Sequence, residues 1–243
     1  MGATELAEQI AKILPLGQLY GDLLSPGMKQ LGYGFEDVIK CIRLATFPIQ
    51  VGSASQTQLE NFLRAAVERV PESKRVLPAP QILGPVIEAV RYEPSDSEIE
   101  KMLAELLSRS MDSDNLGDAH PALPLLIRQL STDEAVIIKL IAGRRLHQVP
   151  FQRVVSYRFR DGRSYLDSTE TDEFPTSALM YPKRLNFYTD HLWSLGLAGV
   201  FETEQKPIFH KQTQMGSRQF LEYRLTDLGD LLANASFPRG PAS

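Results

Sequence analysis

Apolar residues recur at helical spacing along the first half of the chain, in segments separated by proline or glycine. The clearest stripe runs through Leu59, Phe62, Leu63, Ala66, Val67 and Val70. A second follows Ser95 and Glu98, with Ile99, Met102, Leu103, Leu106 and Leu107 on one face. Shorter stripes precede them between Thr4 and Ile42, and a further short helix is expected to start near Pro85. Repeated amphipathic helices with short connections predict an α-helical bundle over residues 1–130.

Two helix starts and one helix stop are predicted between Ser110 and Gly143. Pro121 suits the first position of a short helix, whose apolar stripe is Leu123, Leu126, Ile127 and Leu130. Ser131 and Glu134 then have the spacing of a capping box, in which each side chain satisfies the backbone N–H of the other residue. The sequence therefore predicts that a second helix begins at Ser131.

The apolar period changes after Gly143. Two β-rich arms flank Asp161-Gly162, a dipeptide that suits a two-residue hairpin turn. A short helix is predicted over Pro175–Met180 and a longer one over Lys183–Leu195. The remaining residues predict a strand, a loop, a second strand and a last helix capped by Thr226: Ala198–Glu204, Pro207–Ser217, Gln219–Leu225 and the helix of Leu228, Leu231 and Leu232.

This order of elements is typical of a winged helix-turn-helix with an extra hairpin inserted before the turn. We therefore predict a mainly α protein, with an N-terminal α-helical bundle followed by a C-terminal winged helix-turn-helix-like α+β domain that carries an inserted β-hairpin. The predicted domains are 1–130 and 131–235, followed by a disordered tail at 236–243.

Composition and charge narrow the class of protein. The 243 residues include one cysteine, Cys41, which excludes an internal disulfide and favours a reducing cytoplasm. No basic, apolar signal peptide is recognisable, and the longest apolar stretch is too short to span a bilayer. We therefore expect a soluble, cytoplasmic protein. Residues 1–120 have a net charge of -6 and residues 121–243 one of +2, which indicates different roles for the two halves.

No catalytic, cofactor or metal-binding motif is recognisable. Asp112, Asp114 and Asp118 do not form a calcium loop, because Leu116 and Leu123 occupy positions that need oxygen ligands. The four histidines lack zinc-ligand spacing, and neither a phosphate-binding glycine loop nor a nucleophile elbow occurs. We predict no cofactor, no metal and no catalytic residue, while a site assembled only by the fold remains an alternative.

Clustered basic residues in the second half are candidates for a nucleic-acid or partner surface. They are Arg153, Arg158, Arg160 and Arg163 on the predicted hairpin, Lys183, Arg184 and Asn186 on the predicted helix, and Lys206, Lys211 and Arg218 on or near the predicted loop. Acidic residues are interspersed among them, and a net charge of +2 is small for a dedicated DNA-binding domain. A winged helix used for packing or for protein contact is the alternative interpretation.

Two blocks of the sequence resemble a known family. One contains Ala-His-Pro at 119–121, Ile-Arg-Gln-Leu-Ser at 127–131 and Asp-Glu-Ala at 133–135; the other is Gln-Leu-Tyr-Gly-Asp-Leu-Leu-Ser-Pro-Gly-Met-Lys-Gln-Leu-Gly at 18–32. Together they resemble the Abi-alpha family, the abortive infection alpha proteins of bacteria, from about Leu16 to the last helix. The resemblance implies antiphage defence as the setting, and it implies no reaction.

Three functional hypotheses follow from the residues and the resemblance. The first is a cytoplasmic, non-enzymatic antiphage protein whose winged-helix-like module binds a protein partner, a phage component or nucleic acid. The second is a transcriptional regulator that uses the same module on DNA, and the third is an enzyme without a recognisable motif. Strand pairing near Val154–Tyr165 is a route to a homo-oligomer. We do not expect membrane association; the alternative is that the apolar, glycine-containing segment between Leu31 and Ile49 leaves the bundle and contacts a membrane or a partner.

Overall fold

Helices occupy the first half of the described chain, where apolar residues recur every three or four positions. The structure is a computed structural model that describes residues 53–146 and 149–238. Helices α1 (Ser53–Glu68), α2 (Pro80–Val90) and α3 (Glu98–Ser110) each bury one apolar stripe. The stripes predicted for α1 and α3 are confirmed, since these residues are buried: Phe62, Leu63, Ala66, Val67, Val70, Ile99, Met102, Leu103, Leu106 and Leu107.

Several predictions fall on residues outside these ranges. They are the helices between Thr4 and Ile42, the resemblance block at 18–32, Cys41, the segment from Leu31 to Ile49 and the last part of the predicted tail, 239–243.

Helix starts agree with the sequence in part. Helix α2 begins at Pro80 rather than near Pro85, and Pro85 lies inside it. A proline is tolerated in the first turn because its missing N–H would have no helical partner there, and Pro80 takes that position. The Ser97 hydroxyl accepts from the Glu100 amide at 3.0 Å and so caps α3, two residues after Ser95, which precedes this helix in the sequence-based prediction.

The described chain divides into two compact units. The first contains residues 53–96 and 102–124, and the second contains residues 97–101, 125–146 and 149–238. Helices α4 (Leu123–Ile127) and α5 (Thr132–Leu146) follow α3. Among the described residues, no helix combines the length and the apolar character needed to cross a bilayer.

The second unit is built around a four-stranded antiparallel sheet. Its strands are β1 (Gln152–Arg160), β2 (Arg163–Asp172), β3 (Ala198–His210) and β4 (Thr213–Leu225), in the order β2-β1-β4-β3. Helix α6 (Leu185–Ser194) contacts β3, whereas α5 and α7 (Asp227–Ser236) contact β4 and each other. Single 3-10 turns at Thr176–Ala178 and Pro182–Arg184 lead into α6. Phe151, Phe174 and Tyr223 form an aromatic cluster in the core of this unit, with ring centroids 5.0–5.2 Å apart.

Both hairpin turns lie at the same end of the sheet. Asp161-Gly162 connects β1 to β2, as predicted, and Lys211-Gln212 connects β3 to β4. The register pairs Arg158 on β1 with Gly216 on β4. The turn that follows Arg158 and the turn that precedes Gly216 are each a few residues away, in the same direction along the sheet. All four turn residues have positive φ, between 45° and 71°. This is the backbone conformation that two-residue hairpin turns require.

The prediction of a mainly α protein is wrong. Seven α-helices and a four-stranded sheet make the described part an α+β structure. The error lies in Pro207–Ser217, predicted as a loop, which instead extends β3 and opens β4. The last nine residues of β3 are all exposed, so the strand shows no alternation of buried and exposed positions there. The short helix predicted over Pro175–Met180 is likewise only the 3-10 turn at Thr176–Ala178.

Candidate functional site

The first turn of α5 places two adjacent carboxylates in the core of the second unit. The capping box is confirmed, because Glu134 Oε2 accepts from the Ser131 amide at 2.7 Å while the Glu134 amide points to Ser131 Oγ at 3.4 Å. The second Glu134 oxygen, Oε1, lies 2.6 Å from Nδ1 of His191 on α6. Asp133 and Glu134 are only 4% and 2% exposed, so both carboxylates need these partners.

Asp133 holds the chain that leads into α6. Its two carboxylate oxygens accept from the backbone amides of Met180 and Tyr181, at 2.7 and 2.9 Å. Burial raises the pKa of the Tyr188 hydroxyl, and a hydrogen bond with Asp133 raises it further. The Asp-Glu pair of the resemblance block therefore fixes both the entry to α6 and one of its turns. The sequence identified Glu134 as a cap but gave no sign of the contacts that join α5 to α6.

Helix α6 and the turn before it expose four large apolar side chains. Their exposed fractions are 69% for Met180, 53% for Tyr181, 63% for Phe187 and 59% for Trp193. These residues were not predicted from the sequence to form a surface. The available signal was that Phe187 and Trp193 fall outside the buried stripe of α6.

Aromatic contacts hold three of these side chains in place. Phe187 packs edge-on against Tyr188 with centroids 5.8 Å apart, and Trp193 packs edge-on against Phe201 at 5.4 Å. The Arg184 guanidinium lies over the Tyr181 ring, 5.3 Å from its centroid. We call Met180, Tyr181, Phe187 and Trp193, with Lys183 and Arg184 beside them, the α6 surface.

Two of the ten residues nominated from the sequence pair with each other. Arg153 donates to the side-chain oxygen of Asn186 at 2.8 Å, and its Nε lies 3.6 Å from Asp172. The Arg153 side chain is only 16% exposed. It therefore joins β1 to α6 and to the end of β2, and it offers little charge to an external ligand.

Four more nominated cations lie within 4 Å of a carboxylate. The pairs are Arg158 with Asp167, Arg160 with Asp161, Lys206 with Glu204 and Arg218 with Glu170. The Ser156 hydroxyl and the Arg218 guanidinium both hydrogen-bond Glu170 and hold its pKa below the usual range. Much of the basic cluster seen in the sequence is thus locally neutralised, although exposed pairs of this kind are weak and remain open to solvent.

The other four nominated cations fall into two groups. Lys183 and Arg184 precede α6, whereas Arg163 and Lys211 lie at the two hairpin turns. None of the four makes an ion pair within residues 53–146 and 149–238. The structure therefore does not gather the nominated residues on one surface.

The aspartate cluster after α3 is tied to a lysine of the same unit. Lys74 Nζ lies 2.6 Å from Asp114, and the Asp112 carboxylate accepts from the Asp114 amide and from Asn115. This contact raises the pKa of Lys74 and lowers that of Asp114. In the part of the chain that the structure describes, no group of three or more histidine, cysteine or acidic side chains has metal-binding geometry.

Comparison with known proteins identifies the family. A sequence model described as abortive infection alpha matches residues 54–236, about three quarters of the chain. No curated protein and no solved structure matches the chain. The match includes the block from Ala119 to Ala135 and every element from α5 to α7. The chain therefore belongs to the abortive infection alpha family.

Proposed function

We propose that this protein acts in antiphage defence by binding a protein partner, of the host or of the phage, through the α6 surface. The observation that carries the proposal is the exposure of Met180, Tyr181, Phe187 and Trp193 on one short helix and its entry turn. Aromatic side chains with one edge anchored and one face open resemble the residues that dominate binding energy in protein interfaces. Lys183 and Arg184 favour a partner whose apolar pocket has an acidic rim.

The proposal keeps the winged-helix interpretation of the second unit. Support comes from the order β1-β4-β3, with α6 immediately before the β3–β4 hairpin, which is the arrangement of a recognition helix followed by a wing. A helix that reads a DNA groove presents mainly polar and basic side chains, whereas α6 presents Phe187, Asp190 and Trp193. We therefore infer that the module contacts protein. We propose no catalytic step for the protein. Because the chain has a single cysteine, we place the protein in the cytoplasm.

A phage challenge tests the proposal. Cells producing the full chain would be compared with cells producing Phe187→Ser, Trp193→Ser or the double variant, with plaque counts and host survival scored at high and low phage dose. We expect the double variant to lose protection, because truncating two anchoring aromatic residues typically weakens an interface by about a hundredfold or more. Tyr92→Ser is the matched control, since Tyr92 is a 75% exposed aromatic residue of the first unit.

Protection that persists in the double variant at normal abundance would refute the proposal. Far-ultraviolet circular dichroism and soluble yield of each variant establish that a loss of protection does not reflect unfolding. All four exposed side chains lack the burial that would make their truncation strongly destabilising.

Nucleic-acid binding is the second candidate. It is favoured by Lys183, Arg184, Arg163 and Lys211, which form no ion pair within the described ranges. A regulator that contacts several phosphates loses affinity for DNA by orders of magnitude between 50 and 200 mM salt. Fluorescence anisotropy with duplex DNA, using the full chain and Lys183→Glu/Arg184→Glu, separates the two candidates. Salt-sensitive binding that this variant abolishes would favour nucleic acid over a protein partner.

A further inference from the structure

The two hairpin turns, at one end of the sheet, carry a group of exposed apolar side chains. The side chains are Phe159, Tyr165, Leu166, Ile208, Phe209 and Met215, which are 36–61% exposed. Each lies within about five residues of a turn. We call these six residues, together with Arg158, Arg160, Arg163 and Lys211, the hairpin-tip surface. It does not include the α6 residues through which we propose that the protein binds a protein partner; Arg163 and Lys211 enter the proposed function only in the second candidate, nucleic-acid binding.

The apolar side chains of this surface lie on both faces of the sheet. Arg158 and Phe159 are consecutive on β1 and therefore face opposite sides. Tyr165 is the register partner of Arg158, and Ile208 is aligned with it through Gly216, so both share one face. Phe159 and Leu166 lie on the other face, because Leu166 is the register partner of Tyr157. A folded partner that docks on a sheet covers one face and would leave the apolar side chains of the other face in water.

The charge of the hairpin-tip surface differs in sign from that of the chain. Residues 158–167 and 207–216 contain four basic and two acidic residues, a net charge of +2, whereas the whole chain has a net charge of -4. The second hairpin has no acidic residue between Gln205 and Gln219. A basic surface with exposed apolar side chains is complementary to an interface whose outer layer is negatively charged and whose interior is apolar.

We propose that the hairpin-tip surface inserts into the headgroup region of a membrane that contains anionic lipids. A lipid interface surrounds the tip and so takes up apolar side chains from both faces of the sheet at once. Phe159, Phe209 and Met215 lie within about 10 Å of their turns at 3.3 Å per residue, which matches the depth of interfacial insertion. Arg163 and Lys211 stand at the turns, where long basic side chains reach lipid phosphates.

Vesicle flotation with the full chain tests this proposal. The probes are vesicles of equal phosphatidylglycerol and phosphatidylcholine and vesicles of phosphatidylcholine alone. We expect binding to the anionic vesicles and weaker binding to the neutral ones. Phe159→Ser/Phe209→Ser and, separately, Arg163→Glu/Lys211→Glu should each lower the partition coefficient by at least about tenfold, through lost apolar burial and reversed charge respectively.

Matched controls come from the α6 surface. Phe187→Ser/Trp193→Ser changes two aromatic residues that are at least as exposed as Phe159, and Lys183→Glu/Arg184→Glu reverses two exposed charges, so both variants should bind vesicles like the unmodified chain. The proposal would be overturned if the hairpin-tip variants bound vesicles as well as the unmodified chain does. It would also be overturned if the unmodified chain bound no vesicles. A different result would identify the hairpin-tip surface as a nucleic-acid-binding site. In that case the full chain binds a 30-nucleotide single-stranded DNA, the two hairpin-tip variants lose this binding, and no protein floats with the vesicles.

Discussion

Glu134 Oε1 lies 2.6 Å from Nδ1 of His191, so the residue that closes the capping box of α5 also holds a side chain of α6. The carboxylate is almost fully buried and uses its other oxygen for the Ser131 amide and hydroxyl. A carboxylate in this position orients the imidazole through Nδ1. One side chain thus connects a helix start to the helix that bears the proposed partner surface.

Replacement of Glu134 should separate its two roles. Glutamine preserves the capping hydrogen bond but removes the negative charge that faces His191, whereas alanine removes both. We expect Glu134→Ala to lower the free energy of unfolding by about 2–4 kcal/mol and Glu134→Gln by less, as measured by urea denaturation. A double-mutant cycle with His191→Gln should give a coupling energy above about 0.5 kcal/mol. Additive effects would show that the contact contributes nothing to stability.

Gly229 should tolerate no side chain. A Cβ at this position would lie 1.8 Å from the Leu197 carbonyl oxygen, which is backbone and cannot rotate away. The first turn of α7 is held there by Thr226, whose hydroxyl accepts from the Gly229 amide at 3.0 Å and donates to the Gly196 carbonyl. We expect Gly229→Ala to destabilise the second unit by about 2 kcal/mol or more in thermal or urea unfolding.

Gly143→Ala is the control for that experiment. Gly143 lies inside α5, and a Cβ there would meet no atom within 4 Å. Since alanine has the higher helix propensity, this variant should gain up to about 1 kcal/mol. Similar losses in both variants would contradict the close approach of α7 to Leu197.

Glu98 should make stability depend on pH in the acid range. Burial raises the pKa of this carboxyl, but Lys139 at 2.7 Å and Lys101 at 3.5 Å outweigh burial and bring it below the ordinary value of 4.5. A carboxyl with a lowered folded-state pKa stabilises above its unfolded-state pKa, and this contribution is lost as pH falls through the folded-state value. The stability difference between the unmodified chain and Glu98→Gln should therefore be constant from pH 7 to 5 and shrink below pH 4.5. A difference that persists unchanged at pH 3 would show that the lysine contacts do not act through charge.

Tyr223 should impose the opposite dependence at alkaline pH. Burial and the nearby Asp172 carboxylate raise the pKa of its hydroxyl above the ordinary value of 10.0, and the hydroxyl donates to both Asp172 oxygens at 3.0–3.1 Å. A group with a raised folded-state pKa stabilises below its unfolded-state pKa, and this contribution is lost as pH rises further. Spectrophotometric titration should show Tyr223 unionised at pH 11 while the chain is folded. An identical tyrosinate signal in the unmodified chain and Tyr223→Phe, up to alkaline unfolding, is the expected result.

Local signals in the sequence were sufficient where a feature depends on neighbouring residues. The capping box at Ser131, the Asp161-Gly162 turn and the buried stripes of α1 and α3 are of this kind. The length of β3 was missed because both faces of its outer part are exposed, which removes the periodic burial that marks a strand. The start of β4 was missed because its burial does not alternate: Thr213, Gln214 and Met215 are exposed, and Gly216 and Ser217 are both buried. The fold class was wrong for that reason.

The candidate site was harder to predict because it depends on contacts between distant residues. Charge clustering identified Arg153 and Arg218, but not the carboxylates of Asp172 and Glu170 that lie beside them in the folded chain. Asp133 gave no sequence signal for its hydrogen bonds to the amides of Met180 and Tyr181, which are 47 and 48 residues away. Exposure of an aromatic residue such as Phe187 is equally a property of the tertiary structure.

The β3–β4 turn is closed by Lys211 and Gln212, with φ of 45° and 71°, where an Asn-Gly pair would adopt the same backbone more readily. Non-glycine residues in this conformation typically cost about 1 kcal/mol each, so Lys211→Asn/Gln212→Gly should give a more rigid and more heat-resistant hairpin. The same change removes a cation from the outermost point of the sheet. If Lys211 binds lipid as proposed, thermostability and membrane binding are opposed at this turn, and selection for heat resistance alone is expected to replace the lysine first.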